Sequence, residues 1–377
     1  MEKTHSQICT RCVMDTSDLG ISFTSEGLCN HCIEFLDKRN KYTYKGTESD
    51  VQLDKIIARI KEAGKGREYD CVIGLSGGVD SSYAAKICID QGLRILAVHL
   101  DNGWNSEEAV SNIKNVARKL SIDFESYVLN WDEFKDLQLS FLKASVPEAD
   151  TPTDIAILAA LHKVAAKYNV KSIISGGNFA TEGILPETWH YNAKDLTYFN
   201  YIHKKFGKRR LKSFPTFGFI RELYYKIFKG IKMIYILNYV PYIKNDAISL
   251  LENQLSWKNY GGKHYESKYT GFIQSYYLYH KFGIDYRRAT LSSQICTGEI
   301  SREDALEILK LLPYKMERVE EEMKYIAKKL EISKGDFQNI LDAESKWYFD
   351  YPNDQKRLNF IYNLYRRIFR KEKLGNF

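Results

Sequence analysis

Short apolar runs and longer amphipathic stretches alternate between residues 50 and 190. Tyr69–Leu75, Arg94–Leu100, Phe124–Leu129 and Lys171–Ser175 read as β-strands rich in apolar residues. Asp80–Gln91, Glu107–Leu120, Trp131–Leu142 and Thr153–Tyr168 carry helical patterns. Strands alternating with helices of this length imply right-handed βαβ crossovers, hence an α/β unit with a parallel, doubly wound sheet covered on both faces. Three further regions frame it. Residues 1–45 bear cysteines and turn formers, residues 191–300 are aromatic and basic, and residues 301–377 read as helices, opening on a capping-box-like Ser301-Arg302-Glu303-Asp304.

Length and charge narrow the class. A chain of 377 residues suits two to three folding units, and 44% apolar with 27% charged residues excludes wholesale disorder. Lys plus Arg number 55 against 48 acids, a net +7 that favours anionic partners without choosing among nucleotides, phosphorylated sugars, RNA or a membrane surface. Met1–Gln7 has no apolar core, and no run reaches about 18 apolar residues, so the expectation is a cytoplasmic protein without signal peptide or membrane span.

Leu75-Ser76-Gly77-Gly78-Val79-Asp80-Ser81-Ser82 lies where the first strand ends and a helix begins. Paired glycines let backbone N–H groups approach an anion, and the positive end of the helix points the same way. The serine hydroxyls add donors, and Asp80 makes sense beside phosphate if Mg²⁺ bridges the two. The bland alternative is a plain strand-to-helix connection. Neither a Walker A loop nor G-x-G-x-x-G is present, which disfavours motor-type NTPases and dinucleotide dehydrogenases. The segment resembles the pyrophosphate-binding loop of the PP-loop ATP pyrophosphatases. That resemblance implies an adenine nucleotide α-hydrolase-like fold that splits ATP between its α and β phosphates, with adenine against Val98-His99-Leu100. A second turn, Ser175-Gly176-Gly177-Asn178, follows the fourth strand at the same sheet edge and is expected to line the same ATP pocket.

Cys9-x-x-Cys12 and Cys29-x-x-Cys32 form two knuckles whose spacing fits a structural four-thiolate zinc ribbon; a redox dithiol or chance pairing is the alternative. Cys71 and Cys88 read as core residues. Cys296 reads as packing, although a sulfur-transfer enzyme would need an exposed thiolate near its ATP, and this is the obvious candidate.

From His203 to Lys232 there are ten Lys or Arg and one acid, Glu222, with Ile220, Leu223, Tyr224, Ile227, Phe228, Ile231, Ile234 and Tyr235 on one helical stripe. This stripe packs on the protein, contacts an anionic membrane, or holds a phosphorylated ligand, with nucleic acid ranked last. Further on, Gly261-Gly262-Lys263-His264-Tyr265-Glu266-Ser267 gathers a cation, an imidazole and a carboxylate: Lys263 to neutralise leaving pyrophosphate, His264 or Glu266 to move a proton. Arg287 and Arg288 suit phosphate or carboxylate recognition; for each charged residue the alternative is a surface salt bridge.

Across nearly its whole length the chain resembles the N-acetyl sugar amidotransferases of lipopolysaccharide O-antigen and flagellin sugar pathways. The segments that carry this are Cys9-x-x-Cys12-Val13-Met14-Asp15-Thr16, the glycine turns, Gly176–Gly183, Trp189-x-Tyr191-Asn192-Ala193, Gly261–Ser267 and Phe282-Gly283-Ile284-Asp285-x-Arg287-Arg288-Ala289. Tyr265 stands where the family pattern has a second histidine. The resemblance implies ATP-dependent conversion of an acetamido into an acetamidino group on a nucleotide- or lipid-linked sugar, with release of AMP and pyrophosphate. No glutaminase motif is apparent in the chain, and the resemblance implies ammonia delivered by separate glutaminase and cyclase-like subunits; peripheral contact with the inner face of the membrane fits the basic stripe. The competing enzyme class is a PP-loop tRNA-modifying enzyme; the competing non-enzyme is a zinc-bearing adaptor that binds nucleotide.

Overall fold

A computed structural model describes residues 7–44, 46–260 and 265–369. Five parallel strands form one sheet: β1 (Cys71–Gly74), β2 (Ile95–Asp101), β3 (Asp123–Val128), β4 (Ser172–Ser175) and β5 (Lys232–Tyr235), in the order β3-β2-β1-β4-β5. The central strand alternates its faces as a period of two demands. Cys71 and Ile73 pack among Leu53, Ile57, Cys88 and Leu251, while Val72 meets Leu161, Val164 and Ile173 on the other side. Both cysteines are therefore core. The cover is incomplete at one edge, where Phe124 and Val128 of β3 are exposed.

The helices before and between the strands are α1 (Asn30–Tyr42), α2 (Thr47–Gly64), α3 (Val79–Asp90), α4 (Glu107–Lys119), α5 (Trp131–Ala144) and α6 (Thr151–Lys167). Local caps start several of them: Ser106 and Asn130 each accept a backbone N–H from the first turn of α4 and α5. Beyond β4 come α7 (Phe179–Glu182), α8 (Leu196–Phe206), α9 (Phe219–Leu223), which continues as a wide π turn through Phe228, and α10 (Lys244–Leu255). The C-terminal part is helical: α11 (Lys268–Phe272), α12 (Leu278–Phe282), α13 (Arg287–Thr297), α14 (Arg302–Lys310), α15 (Met316–Lys329), α16 (Lys334–Asp342) and α17 (Gln355–Phe369).

The basic stripe is not one helix. The chain leaves the π turn at Gly230, whose φ is +66°, and Ile234 and Tyr235 belong to β5. Ile220, Tyr224, Ile227 and Phe228 remain exposed, so the packed reading of that face does not hold for them.

The order of strands reverses between β1 and β4, and the glycine turns after these strands meet in that crevice. A Cβ built at Gly176 would lie 2.7 Å from the Ser81 backbone nitrogen and 2.9 Å from the Asp80 carbonyl carbon. No side chain fits between the turns. Gly176→Ala must push one turn off the other, and a loss of about 1–3 kcal/mol in denaturant unfolding is expected; an unchanged midpoint would show that the turns part freely.

Candidate active site

The glycine turn is held from both sides. Gly77 has φ +83°, and a Cβ there would stand 2.4 Å from the Ala109 carbonyl oxygen. Its own carbonyl accepts from Trp257 Nε1 at 2.9 Å. Ser81 Oγ accepts from the Ser76 backbone N–H at 3.2 Å and donates to the Gly78 carbonyl at 3.2 Å. Val79 and Ser82 are buried at the start of α3, and Ser82 Oγ has no partner among the described residues. In the second turn Ser175 Oγ accepts from the Gly177 N–H, Asn178 Oδ1 caps α7, and buried Asn178 Nδ2 is also unpartnered among the described residues. Orphaned buried donors flanking two glycine turns fit a polyanion such as the ATP triphosphate.

A cavity of about 510 Å³ opens beside these turns at the C-terminal edge of β1, β2 and β4. Leu75, Ser76, Val98, His99, Leu100 and Gly176 all face it. His99 is neutral by its surroundings: burial lowers its pKa, Nδ1–H donates to the Leu75 carbonyl at 3.1 Å, and Nε2 accepts from Asn105 Nδ2 at 3.0 Å.

Two carboxylates flank the phosphate end. Asp80 accepts a hydrogen bond from Tyr242 OH. Glu266 Oε2 accepts from Tyr260 OH at 3.2 Å, and Glu266 Oε1 lies against Gly78. Glu266 is brought there by backbone pairing, with Ser106 N–H donating to the Glu266 carbonyl and Lys268 N–H to that of Trp104. Asp80 and Glu266 are the groups that would hold Mg²⁺ on the diphosphate. Lys263 and His264 lie outside the described residues.

The two arginines stand elsewhere. Arg287 is paired with Asp285 through Nη2 at 2.6 Å and caps carbonyls of Ile308 and Leu311. Arg288 binds Asp15 at 3.0 Å and the Val13 carbonyl at 2.6 Å. Their local sequence suggested anion recognition; tertiary partners make them struts, although Arg287 also borders a second cavity described below.

Sequence reasoning missed three cavity residues. Asp154, on the α6 face with Ile157 and Leu161, is exposed and opens onto the cavity. Burial and then nearby Asp150 push its carboxyl up to about 8. His190 lines the same space with its pKa lowered by burial, and Glu182 enters from α7. Glu182 and His190 lie within segments that carry the family resemblance, where sequence reasoning gave them no role, and it passed over Asp154 because a carboxylate in a first helical turn is ordinary.

The four cysteine sulfurs of the ribbon lie within 4.8 Å of one another, all buried. Cys9–Cys32 and Cys12–Cys29 are 3.9 and 3.7 Å apart, matching the ~3.8 Å between thiolates that zinc–sulfur bonds of about 2.3 Å impose in a tetrahedron. His31 instead binds Asp18 at 2.6 Å. A fifth sulfur, Cys296 of α13, is buried 3.8 Å from Cys32. None of the seven cysteines lines the nucleotide cavity.

The profile of the thiamine biosynthesis protein (ThiI) family matches residues 66–181, the part that builds both glycine turns. That of the LPS biosynthesis protein WbpG-like C-terminal domain matches residues 266–368. The chain belongs to the PP-loop superfamily. PP-loop enzymes use ATP and Mg²⁺. Among curated proteins, this PP-loop chain is 29% identical over 139 residues to the probable mitochondrial tRNA-specific 2-thiouridylase 1 of Caenorhabditis elegans, covering 33% of this chain and 36% of that one. It is 29% identical over 162 residues to tRNA-specific 2-thiouridylase MnmA of Helicobacter hepaticus, covering 39% and 46%. The chain thus spans less than half the length of these relatives. The solved NMN synthetase of Francisella tularensis aligns with 87% of this chain and 98% of its own at 14% identity and a TM-score of 0.34.

Purified protein is expected to carry about one zinc ion per chain. Cys29→Ser should release it, while Cys296→Ser should retain it; equal loss in both would make Cys296 a ligand.

Proposed function

We propose that the protein is an ATP-dependent amidotransferase of lipopolysaccharide sugar biosynthesis, acting on the acetamido group of an N-acetylated sugar. The observation that carries this reading is a second cavity of about 480 Å³, which shares Gln274, Tyr286 and Thr290 with the nucleotide cavity. It is built almost wholly from the WbpG-like part, where Tyr286 and Tyr314 supply rings and Lys315 and Arg318 supply charge, with Tyr265 joining from just before it. Tyrosine faces with cations suit a sugar bearing an anionic carrier. A sugar seated there would direct its acetamido oxygen through the shared wall toward the α-phosphorus.

An amide is a poor electrophile. Attack by its oxygen on the α-phosphorus, with loss of pyrophosphate, gives an O-adenylated imidate; ammonia then adds at carbon and AMP leaves. The glycine turns would hold the departing diphosphate, and Asp80 and Glu266 are the residues that would hold a metal neutralising its charge. Asp154 is the group suited to accept a proton from the incoming nitrogen, since a carboxyl pushed up to about 8 is a stronger base than an ordinary one. Ammonia arrives from separate glutaminase and cyclase-like subunits in this reading, and the reaction is cytoplasmic.

The second reading is tRNA modification, which the thiouridylase relatives support. Burial of Cys296 on the ribbon, away from the nucleotide cavity, speaks against sulfur carried by this chain.

Incubation with ATP, ammonium and either N-acetylated sugar nucleotides or bulk tRNA separates the two. Pyrophosphate and AMP should appear in equal amounts with the sugar alone; stimulation by tRNA alone would reverse the assignment, and ADP with orthophosphate would remove both. Lys315→Ala with Arg318→Ala should raise the acceptor KM about tenfold and leave the ATP KM unchanged.

At fixed free ammonia, turnover should rise with pH through about 8 as Asp154 loses its proton. Asp154→Asn should abolish that limb and cost about 10²-fold or more in kcat; a pH profile unaltered in the variant would withdraw Asp154 from the chemistry.

A further inference from the structure

The segment from His203 to Lys232 holds ten Lys or Arg against one acid, and that acid, Glu222, is taken up by Lys194 at 2.8 Å. On the outer face of α9 and its π turn, Ile220 and Phe228 are 80% and 78% exposed, with Tyr224 and Ile227 about half exposed. Ile220, Tyr224 and Phe228 recur every four residues, and the rings of Tyr224 and Phe228 lie 6.0 Å apart.

This stripe ends where β5 begins. Arg67, Lys171 and Lys229 precede β1, β4 and β5, three neighbouring parallel strands. They therefore lie along the N-terminal edge of the sheet, opposite the edge that carries the nucleotide cavity. Lys171 Nζ donates to the Lys229 carbonyl at 2.7 Å, and burial followed by the charges of Arg67 and Lys229 lowers its pKa. Lys229 in turn stands over the Tyr224 ring at 5.9 Å. Like charges are gathered beside uncovered aliphatic and aromatic side chains.

The composition of the patch selects its occupant. Nucleic acid would use the cations and leave Ile220 and Ile227 in water. A second copy meeting it symmetrically would bring cation onto cation. An anionic lipid surface takes both components, since apolar side chains enter the acyl boundary while Lys and Arg meet headgroup phosphates. Among the described residues no helix is long and apolar enough to cross a membrane.

We propose that this edge docks the protein on an anionic membrane surface, with Ile220, Ile227 and Phe228 inserted, Arg67, Lys171 and Lys229 against the headgroups, and the nucleotide cavity turned away from the lipid. This holds whichever acceptor the enzyme uses.

The test is sedimentation of the full chain with phosphatidylcholine vesicles, with and without phosphatidylglycerol. Binding should require phosphatidylglycerol and weaken with salt. Replacing Arg67, Lys171 and Lys229 together by Gln should reduce partitioning about a hundredfold, each cation being worth about fivefold. Ile220→Ser with Phe228→Ser should also weaken binding, while thermal unfolding and ATP-analogue binding stay as in the wild type. No preference for phosphatidylglycerol, full binding by the Ile220/Phe228 variant, or a wild-type dimer that this variant dissolves would each overturn the proposal. So would binding of tRNA through the three cations without binding to vesicles.

Discussion

Everything at the active edge depends on two glycine turns touching with no side chain between them. Gly176 presses its backbone on Asp80 and Ser81, which is possible because β1 and β4 are neighbours that leave the sheet toward opposite flanks. That contact turns two ordinary strand-to-helix connections into one cradle. Beside it lie the orphaned hydroxyl of Ser82, which follows the first turn, and the orphaned amide of Asn178, which ends the second. Asp80, which would repel bare phosphate, is tolerable there because Tyr242 engages it and a metal can share it. Glu266 reaches the same spot from a different part of the chain, with Tyr260 in the matching role.

The cysteine ribbon and the two cavities are joined through one helix. Along α13, Arg288, Ser292 and Cys296 meet the ribbon, Ser292 accepting from the Val13 N–H at 3.2 Å. Its other face contributes Ala289 and Thr290 to the nucleotide cavity, and Thr290 and Leu291 to the second. Ser293 binds the Ile184 N–H at 2.9 Å, fixing the stretch that also lines the nucleotide cavity. A four-thiolate cluster has no open position and no chemistry of its own. Its work here is positional: by fixing the N-terminal segment it sets the helix that lines both cavities.

Where sequence was legible, the information was local. The first four strands and the helices between them were marked by runs and periods that no tertiary partner overrides, and the cysteine knuckles by spacing alone. β5 was missed because Ile231, Ile234 and Tyr235 continue the helical phase of the preceding stripe; the break comes from Gly230 and the wide turn before it. For Arg287 and Arg288 the sequence left anion recognition and salt bridging both open, for the opposite reason. Adjacent arginines announce charge, but Asp285, Asp15 and the Val13 carbonyl that engage them lie two residues away or at the other end of the chain. Asp154 carries no local signal at all, since its raised carboxyl arises only once the fold places it on the cavity wall near Asp150.

The polarity of a parallel sheet organises what remains. All five strands point the same way, so the turns that precede them and the turns that follow them lie on opposite sides of the protein. The following turns carry glycine and hydroxyls and lead into Asp80, with Glu266 joining them from before α11; the preceding ones carry Arg67, Lys171 and Lys229. A triphosphate attracted by net positive charge therefore meets two competing faces. Coulomb attraction alone would favour the cationic edge, whose Arg67, Lys171 and Lys229 line neither of the two cavities. Retention at the other edge would come from directed N–H and O–H donors and a metal held by its carboxylates, interactions that a diffuse field of lysines cannot supply. Long-range charge and short-range recognition are thus assigned to different ends of the same strands, which leaves the cationic edge free for a broad anionic surface.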